Sequence, residues 1–390
     1  MVIELRYNRF QGKEISEVGM GCYALSGAYG PVDKKVYKKV LEHAAQQGIN
    51  FFDTADTYGP KAEQILGEVV SPIREEVILQ TKVGIKEGSK PDLSYDAVMS
   101  ACEDSLERLD TSYIDYYLVH FADPETSVEE TVGAMKDLKT DGKIDGYGVS
   151  HIGLDEIRKY SKAGNISIAM MEFNAVSRKA KEELLPFCIK KDIGAVAFSV
   201  TGRGILTGKY STGTHPEKAG IKSIDPLFKH AKLQSALRIV DRLKEIGRKY
   251  DKTPVQTAIR WVLSQEDIIC ALTGPSSKDH LDENLGGSGW EFYEEDLKEL
   301  EEYLEEEEKW LNQKEPQVIR TLLTSSLNQD LQKAYSDMIY VIETSVQHSL
   351  TDEKEIMPTF QKLWSMKSSE DGITKEKIQK IQEELRNILF

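Results

Sequence analysis

Eight short apolar runs, most of them followed by an amphipathic helical stretch, recur between residues 15 and 272 of this 390-residue chain. The runs are Ile15–Met20, Ile49–Phe52, Val77–Thr81, Ile114–Val119, Gly146–Val149, Ile166–Met170, Ala195–Ser199 and Ile268–Leu272. The stretches between them place apolar residues three and four apart, as Val36, Val40, Leu41 and Ala44 do within 32–48, and Val98, Cys102, Leu106 and Leu109 within 94–109. Further helices are predicted near 61–70, 128–140, 154–163, 179–190, 232–249 and 254–264. Strands that are apolar without alternation are buried on both faces, as a parallel sheet requires. Repeated βα units give an open doubly wound sheet or a closed barrel. Eight units in about 270 residues favour the (β/α)8 TIM barrel. A strand at Ile3–Leu5, paired through the turn Gln11-Gly12-Lys13 with the first run, forms an N-terminal hairpin expected to cap the barrel floor.

In such a barrel the chemistry sits at the C-terminal ends of the strands. Those ends carry Gly21-Cys22, Asp53, Lys82, His120, Ser150-His151, Ser199 and Thr273-Gly274. Tyr58 follows Asp53 on the loop leaving the second strand, just before an expected turn at Gly59-Pro60. A free phenol titrates near pH 10. An adjacent ammonium favours the phenolate, which makes a tyrosine a usable acid near neutrality. Asp53 is placed to hold Lys82 against that phenol, and His120 to hydrogen-bond a bound carbonyl oxygen. The set contains no nucleophile of its own. The cysteines, Cys22, Cys102, Cys188 and Cys270, form no C-x-x-C pair, and no histidine spacing suggests a metal site. A hydride from an organic cofactor is the natural partner for such proton delivery.

These residues lie in motifs that resemble the aldo-keto reductases. The motifs are Asn50-Phe-Phe-Asp-Thr-Ala-Asp-Thr-Tyr-Gly59, Thr81-Lys-Val-Gly84, Tyr116-Tyr-Leu-Val-His120, Gly146-Tyr-Gly-Val-Ser150, Ser199 with Gly202-Arg-Gly-Ile-Leu-Thr-Gly-Lys209, and Glu283-Asn-Leu-Gly286, and the likeness runs from about residue 6 to about 305. The resemblance implies a barrel that binds NADP(H), or less often NAD(H), without a Rossmann domain. It implies a catalytic tetrad of Asp53, Tyr58, Lys82 and His120, with Tyr58 as general acid in reduction and general base in oxidation. Ser150 and His151 are then expected at the nicotinamide carboxamide, and Phe198 against the nicotinamide ring. Thr201, Gly202, Gly204 and Lys209 would cover the pyrophosphate, and Gly274, Ser276, His280, Glu283 and Asn284 would hold the adenosine end. Gly21, Cys22, Asp53 and Ser199 complete the expected cofactor contacts. Three positions depart from the pattern. His151 stands where asparagine is usual, Met170 where a carboxamide-binding glutamine is usual, and Ser276 where a basic residue is common, with Lys278 and His280 close by. The Gly202–Gly208 loop has three residues rather than two before its last glycine, which is not dinucleotide-fold spacing.

A net charge of −15 argues against nucleic acid as a partner. No apolar run approaches the roughly 18 residues of a membrane span. The early charge in Met-Val-Ile-Glu-Leu-Arg is unlike a signal peptide, and together with the dispersed cysteines it gives a cytoplasmic expectation. His43, His215, His230 and His348 show no partner in the sequence and read as solvated or structural, and Asp56 reads as a loop or helix-entry acid. Residues 291–311 read as an acidic helix broken at Asn312–Pro316. Beyond it Val318, Leu322, Leu327, Leu331, Tyr335, Met338 and Ile342 mark one apolar stripe, Thr351 opens a capped segment, and Ile378, Ile381, Leu385 and Ile388 mark a last one. The expected division is a barrel over 1–312 and a small all-α extension over 313–390. The extension's stripes are expected to pack on each other, on the barrel, or on a second subunit in self-association. The leading functional expectation is NAD(P)H-dependent reduction of a small carbonyl compound. The alternative, of another class, is a cofactor-binding regulatory or scaffolding protein like the potassium-channel β subunits.

Overall fold

The computed structural model describes residues 4–28, 30–84, 90–211, 221–367 and 372–390. The chain forms two compact units, one of residues 1–207 and 243–297, the other of residues 208–242 and 298–390.

In the first unit, an antiparallel hairpin of β1 (Tyr7–Phe10) and β2 (Lys13–Ser16) precedes a closed ring of eight parallel strands. The ring consists of β3 (Val18–Gly21), β4 (Phe51–Asp53), β5 (Ile78–Val83), β6 (Ile114–Val119), β7 (Ile144–Ser150), β8 (Ile168–Glu172), β9 (Gly194–Phe198) and β10 (Ile268–Thr273). Strands β3 to β9 are neighbours in chain order, and β10 closes the ring between β9 and β3. The helices interleaved with the strands are α1 (Lys34–Gln46), α2 (Pro60–Val70), α3 (Tyr95–Leu109), α4 (Val128–Thr140), α5 (Leu154–Ala163), α6 (Leu184–Lys191), the last residues of α7 (His230–Arg248), most of which belongs to the second unit, and α8 (Pro254–Leu263). After β10 come α9 (Lys278–Leu285) and the start of α10 (Glu294–Thr324). This is the TIM barrel expected from the pattern of apolar runs. Phe51, Tyr116, Leu118, Ile168, Val196 and Leu272 pack together inside it, so the interior is a filled core and not a pore.

The hairpin is displaced from its expected position. Its first strand is Tyr7–Phe10, not Ile3–Leu5, and the run Ile15–Met20 is divided at Glu17. There the chain changes partner, from antiparallel pairing with β1 to parallel pairing with β10 and β4. The Glu17 carboxylate is held at that point by Ser288 Oγ (2.7 Å) and Arg260 (3.3 Å). Phe10 reaches the barrel floor, where a Cβ added at Gly194 would stand 2.8 Å from its ring. Lys13 pairs with Asp115 and, at 2.8 Å, with Asp145, at the N-terminal ends of β6 and β7. Helix α6 begins at Leu184 and not near 179, which places Pro186 in its first turn, where the missing amide hydrogen costs no intrahelical bond. Gly59-Pro60 is a helix start: Gly59 is the cap residue of α2, with φ 87°, and Pro60 opens the helix.

In the second unit, α10 is followed by α11 (Leu331–Gln347), α12 (Glu353–Ser365) and α13 (Lys375–Leu389). The break expected at Asn312–Pro316 is absent. Pro316 lies inside α10, and the expected boundary after residue 312 falls within one continuous helix. The backbone bond that proline forfeits is outweighed by the burial of Ile319 and Leu323 one and two turns later. Those two residues join Tyr335, Met338, Ile342, Ile356, Leu363, Ile378, Ile381 and Leu385 in a single core. The apolar stripes therefore pack on one another. The cap of α12 is Asp352, not Thr351; its side chain accepts from the Lys354 amide.

Three histidines expected to be unpartnered are paired. His43 meets Asp282 at 2.8 Å, His230 meets Asp337 at 2.7 Å, and His348 meets Glu315. Each partner is more than a hundred residues away or on another helix, beyond the reach of a local pattern. His215 lies outside the described residues. Among the described residues no helix is long and apolar enough to cross a membrane.

Candidate active site

The parallel register carries three polar side chains to one end of the barrel. Asp53 is the last residue of β4, Lys82 lies next to the end of β5, and His120 follows β6. Tyr58 is on a short turn, Asp56–Tyr58, wedged between β4 and the proline-initiated α2. Lys82 is fully buried, and its three hydrogens have three acceptors: Asp53 Oδ1 at 2.5 Å, the Thr54 carbonyl at 2.7 Å and the Tyr58 hydroxyl at 3.4 Å. Gln80 donates to the same Asp53 oxygen at 2.6 Å. Burial raises the Asp53 carboxyl above its ordinary range, and the charge and hydrogen bond of Lys82, then the hydrogen bond of Gln80, oppose that rise without cancelling it.

The ring of His120 lies 5.8 Å from that of Tyr58 at an interplanar angle of 74°. Its Nδ1 is 3.1 Å from Thr57 Oγ1. Burial, with the charge of Lys82 and then His151, lowers its pKa to about 2, so the imidazole is neutral at any working pH. His151 opens onto the mouth but is hemmed in by side chains; loss of hydration, then Lys82 and Arg203, lower it to about 4. Its ring lies 4.5 Å from Phe198 and 5.6 Å from His120, and its Nδ1 is 3.0 Å from Ser150 Oγ. Asp53, Tyr58, Lys82, His120, Ser150, His151 and Phe198 thus form one continuous chain of contacts. Tyr23, edge-on to Tyr58 at 5.1 Å, and Phe121, stacked on His120 at 4.3 Å, add aromatic walls.

Gly21 ends β3; Cys22 is wholly buried, with its amide donating to the Asp53 carbonyl at 2.8 Å. Ser199 follows β9 with φ 53°, and its carbonyl accepts from Asn174 Nδ2 at 3.0 Å. Thr201, Gly202 and Gly204 form a tight turn in which Gly202 and Gly204 both have positive φ, a conformation that favours glycine. Gly274 is exposed just past β10, within 3.7 Å of the Gly21 carbonyl when a Cβ is added. Ser276 and His280 are exposed at the start of α9, with Ser276 Oγ 3.2 Å from His280 Nδ1; Glu283 and Asn284 lie on its last turn. No direct contact joins the α9 residues to the tetrad among the described residues. Lys209 belongs to the second unit, where its ammonium lies 5.2 Å from the Tyr210 ring. Met170 is packed in the barrel core, 3.5 Å from Gln80 Nε2.

Several residues at the site were not singled out from sequence. Gln80 and Glu172 were readable by alternation, being two residues from Lys82 and Met170 on their strands. Glu172 pairs with Arg203 at 2.9 Å beside His151. Asp56 is more than a loop acid: burial and then Glu63 raise its pKa to about 7. Glu63 is itself fully buried and accepts from Thr81 Oγ1 at 2.7 Å and Arg108 Nε at 2.6 Å. Thr57 carried no signal, because its partner is on another strand.

The donor set suits a nicotinamide dinucleotide. Phe198 offers a flat apolar face, Ser150 a hydroxyl, and Gly274 exposed backbone for close approach, while Lys278 and His280 add basic groups at the start of α9. The profile of the Aldo/keto reductase family matches residues 17–305, and α11–α13 lie beyond it. The chain is 35% identical over 297 residues to "Probable aldo-keto reductase 1" of Glycine max, covering 74% of this chain and 86% of that protein. It is 31% identical over 303 residues to aldo-keto reductase YhdN of Bacillus subtilis (strain 168), covering 75% and 91%. The solved glycerol dehydrogenase AKR11B4 from Gluconobacter oxydans superposes with a TM-score of 0.70 at 26% identity, over 78% of this chain and 95% of that one. The chain belongs to the aldo/keto reductase family of NAD(P)-dependent oxidoreductases.

Proposed function

We propose that this protein reversibly reduces an aldehyde or ketone to an alcohol, with Tyr58 as general acid in reduction and general base in oxidation. The observation that carries this reading is the position of Lys82 Nζ, 2.5 Å from Asp53 Oδ1 and 3.4 Å from the Tyr58 hydroxyl in a fully buried site. Bound NAD(P)H would supply a hydride to the carbonyl carbon. The carbonyl oxygen then needs a proton, and the Tyr58 hydroxyl delivers it. Lys82 stabilises the phenolate left behind, and Asp53 pairs with Lys82 in a site that water does not reach. Neutral His120 orients the carbonyl by hydrogen bonding. Ser150, His151 and Phe198 would hold the nicotinamide end, with Gly202, Gly204 and Gly274 along the diphosphate and adenosine. Lys278 and His280 beside Ser276 favour NADP(H) over NAD(H), as partners for a 2′-phosphate. Tyr23 and Phe121 suit a small substrate with an apolar face.

The test is oxidation of NADPH and of NADH, in parallel, over a panel of aldehydes and ketones, with the alcohol products identified. Turnover of a carbonyl class with NADPH ahead of NADH is expected. Tight cofactor binding without turnover on any panel member would sink the reading.

A further inference from the structure

A neutral imidazole has two tautomers, and only one of them can donate from a given nitrogen. His120 is neutral, so protonation does not decide which form is present; the hydrogen bond at one ring nitrogen does. That nitrogen is Nδ1, 3.1 Å from the hydroxyl of Thr57. Among the described residues this is the one hydrogen bond of the Thr57 side chain, and Nε2 has no protein partner.

We propose that Thr57 is a positioning residue for His120: its hydroxyl donates to Nδ1, which leaves the ring hydrogen on Nε2, the nitrogen free to meet a carbonyl oxygen. The direction of the bond follows from the donor count. A hydroxyl has one hydrogen and two lone pairs. Donating to Nδ1 uses the hydrogen. Accepting from Nδ1–H would strand it, and an unmade donor is the more expensive omission. It would also present a bare lone pair at Nε2 to the carbonyl, which repels it. The fold supports a fixed geometry. Thr57 sits inside the turn Asp56–Tyr58, so the group that sets the tautomer and the phenol that gives the proton move as one piece. On the other side the His120 amide is tied to the Val83 carbonyl at 2.8 Å, and Phe121 stacks on the ring.

The inference rests on the carbonyl-reduction reading for its purpose, but its first readout does not depend on turnover. The full-length chain labelled with [15N]histidine is examined by long-range proton–nitrogen correlation, with His120 assigned from the spectrum of His120→Asn. Expected is a protonated Nε2 and an unprotonated Nδ1 in the parent and in Thr57→Ser, and a mixture of both tautomers in the isosteric Thr57→Val. In carbonyl reduction Thr57→Val should lose about tenfold in kcat, the scale of one neutral hydrogen bond, with KM for the cofactor unchanged. Thr57→Ser should restore it. A parent spectrum with Nδ1 protonated overturns the proposal. So does a Thr57→Val spectrum identical to the parent's. If no carbonyl is reduced at all, the reading of the activity fails while the tautomer result still decides the role of Thr57.

Discussion

Gln80 and Lys82, two residues apart on β5, donate to the same oxygen of Asp53, at 2.6 and 2.5 Å. The alternation of the strand sends both side chains inward, one layer apart. Gln80 is fully buried and its own carbonyl oxygen has no partner among the described residues. The amide is thus turned to serve Asp53 at the expense of its second polar atom. That orientation fits an ionised Asp53, which can only accept.

Replacing Gln80 with leucine keeps the volume and removes one of the interactions that hold the Asp53 carboxyl down. Its pKa should rise further. Activity requires the Asp53 carboxylate to balance Lys82, so it is lost as pH falls through that pKa, and the acid limb of kcat/KM should move to higher pH in Gln80→Leu. Near neutrality the variant should lose about ten- to a hundredfold, the scale of a hydrogen bond to a charged group. Full pH–rate profiles of parent and variant check this; an acid limb that stays in place would assign Gln80 to packing.

His120 gives a prediction about stability. Its pKa is about 2 in the folded chain against 6.5 for the free side chain. Between those values the unfolded chain binds the extra proton, so folding stability falls as pH drops below 6.5 and is unaffected above it. The slope for one group is about 1.4 kcal/mol per pH unit once the unfolded histidine is charged. His120→Asn should remove that component and flatten the acid side of the stability curve. Hydrogen exchange of β5 and β6 amides at several values between about pH 5 and 7.5, corrected for the intrinsic pH dependence of exchange, measures it. Equal slopes in parent and variant would mean that His120 takes up a proton in the folded state.

In the second unit, Glu315 is buried, accepts from the Tyr340 hydroxyl at 3.1 Å, and pairs with His348. Glu315→Leu would remove the acceptor of Tyr340 and His348 and the carboxylate 3.9 Å from Lys232 Nζ, at a cost of about 3 kcal/mol. The double variant Glu315→Leu/Tyr340→Phe should recover part of that loss, because one stranded group is removed with it. Hydrogen exchange of α10 and α11 amides is the suitable measurement, since a chain of two compact units need not unfold in one step. Unchanged protection in Glu315→Leu would show that the pair contributes nothing.

The barrel was legible in the sequence because its signal is local: each strand is a short apolar run, and each helix repeats its apolar residues at three and four. Asp53, Lys82 and His120 were legible for the same reason, since they end such runs. The pairings of His43, His230 and His348 were not, because each depends on residues brought near by folding. Pro316 misled for an energetic reason. A proline argues for a break on local grounds, but the burial of Ile319 and Leu323 beyond it outweighs one lost backbone bond. Met170 was legible as a departure from the reductase pattern, but its contact with Gln80 was not, because β5 and β8 are ninety residues apart and meet only across the barrel interior.

The most direct measurement is the rate of NADPH-dependent carbonyl reduction by Tyr58→Phe, together with its affinity for NADPH. Removing the proton donor should lower kcat by about two to four orders of magnitude, the range of general acid catalysis, while the cofactor dissociation constant stays close to the parent value. A Tyr58→Phe enzyme that reduces the same carbonyl at the parent rate would contradict the account.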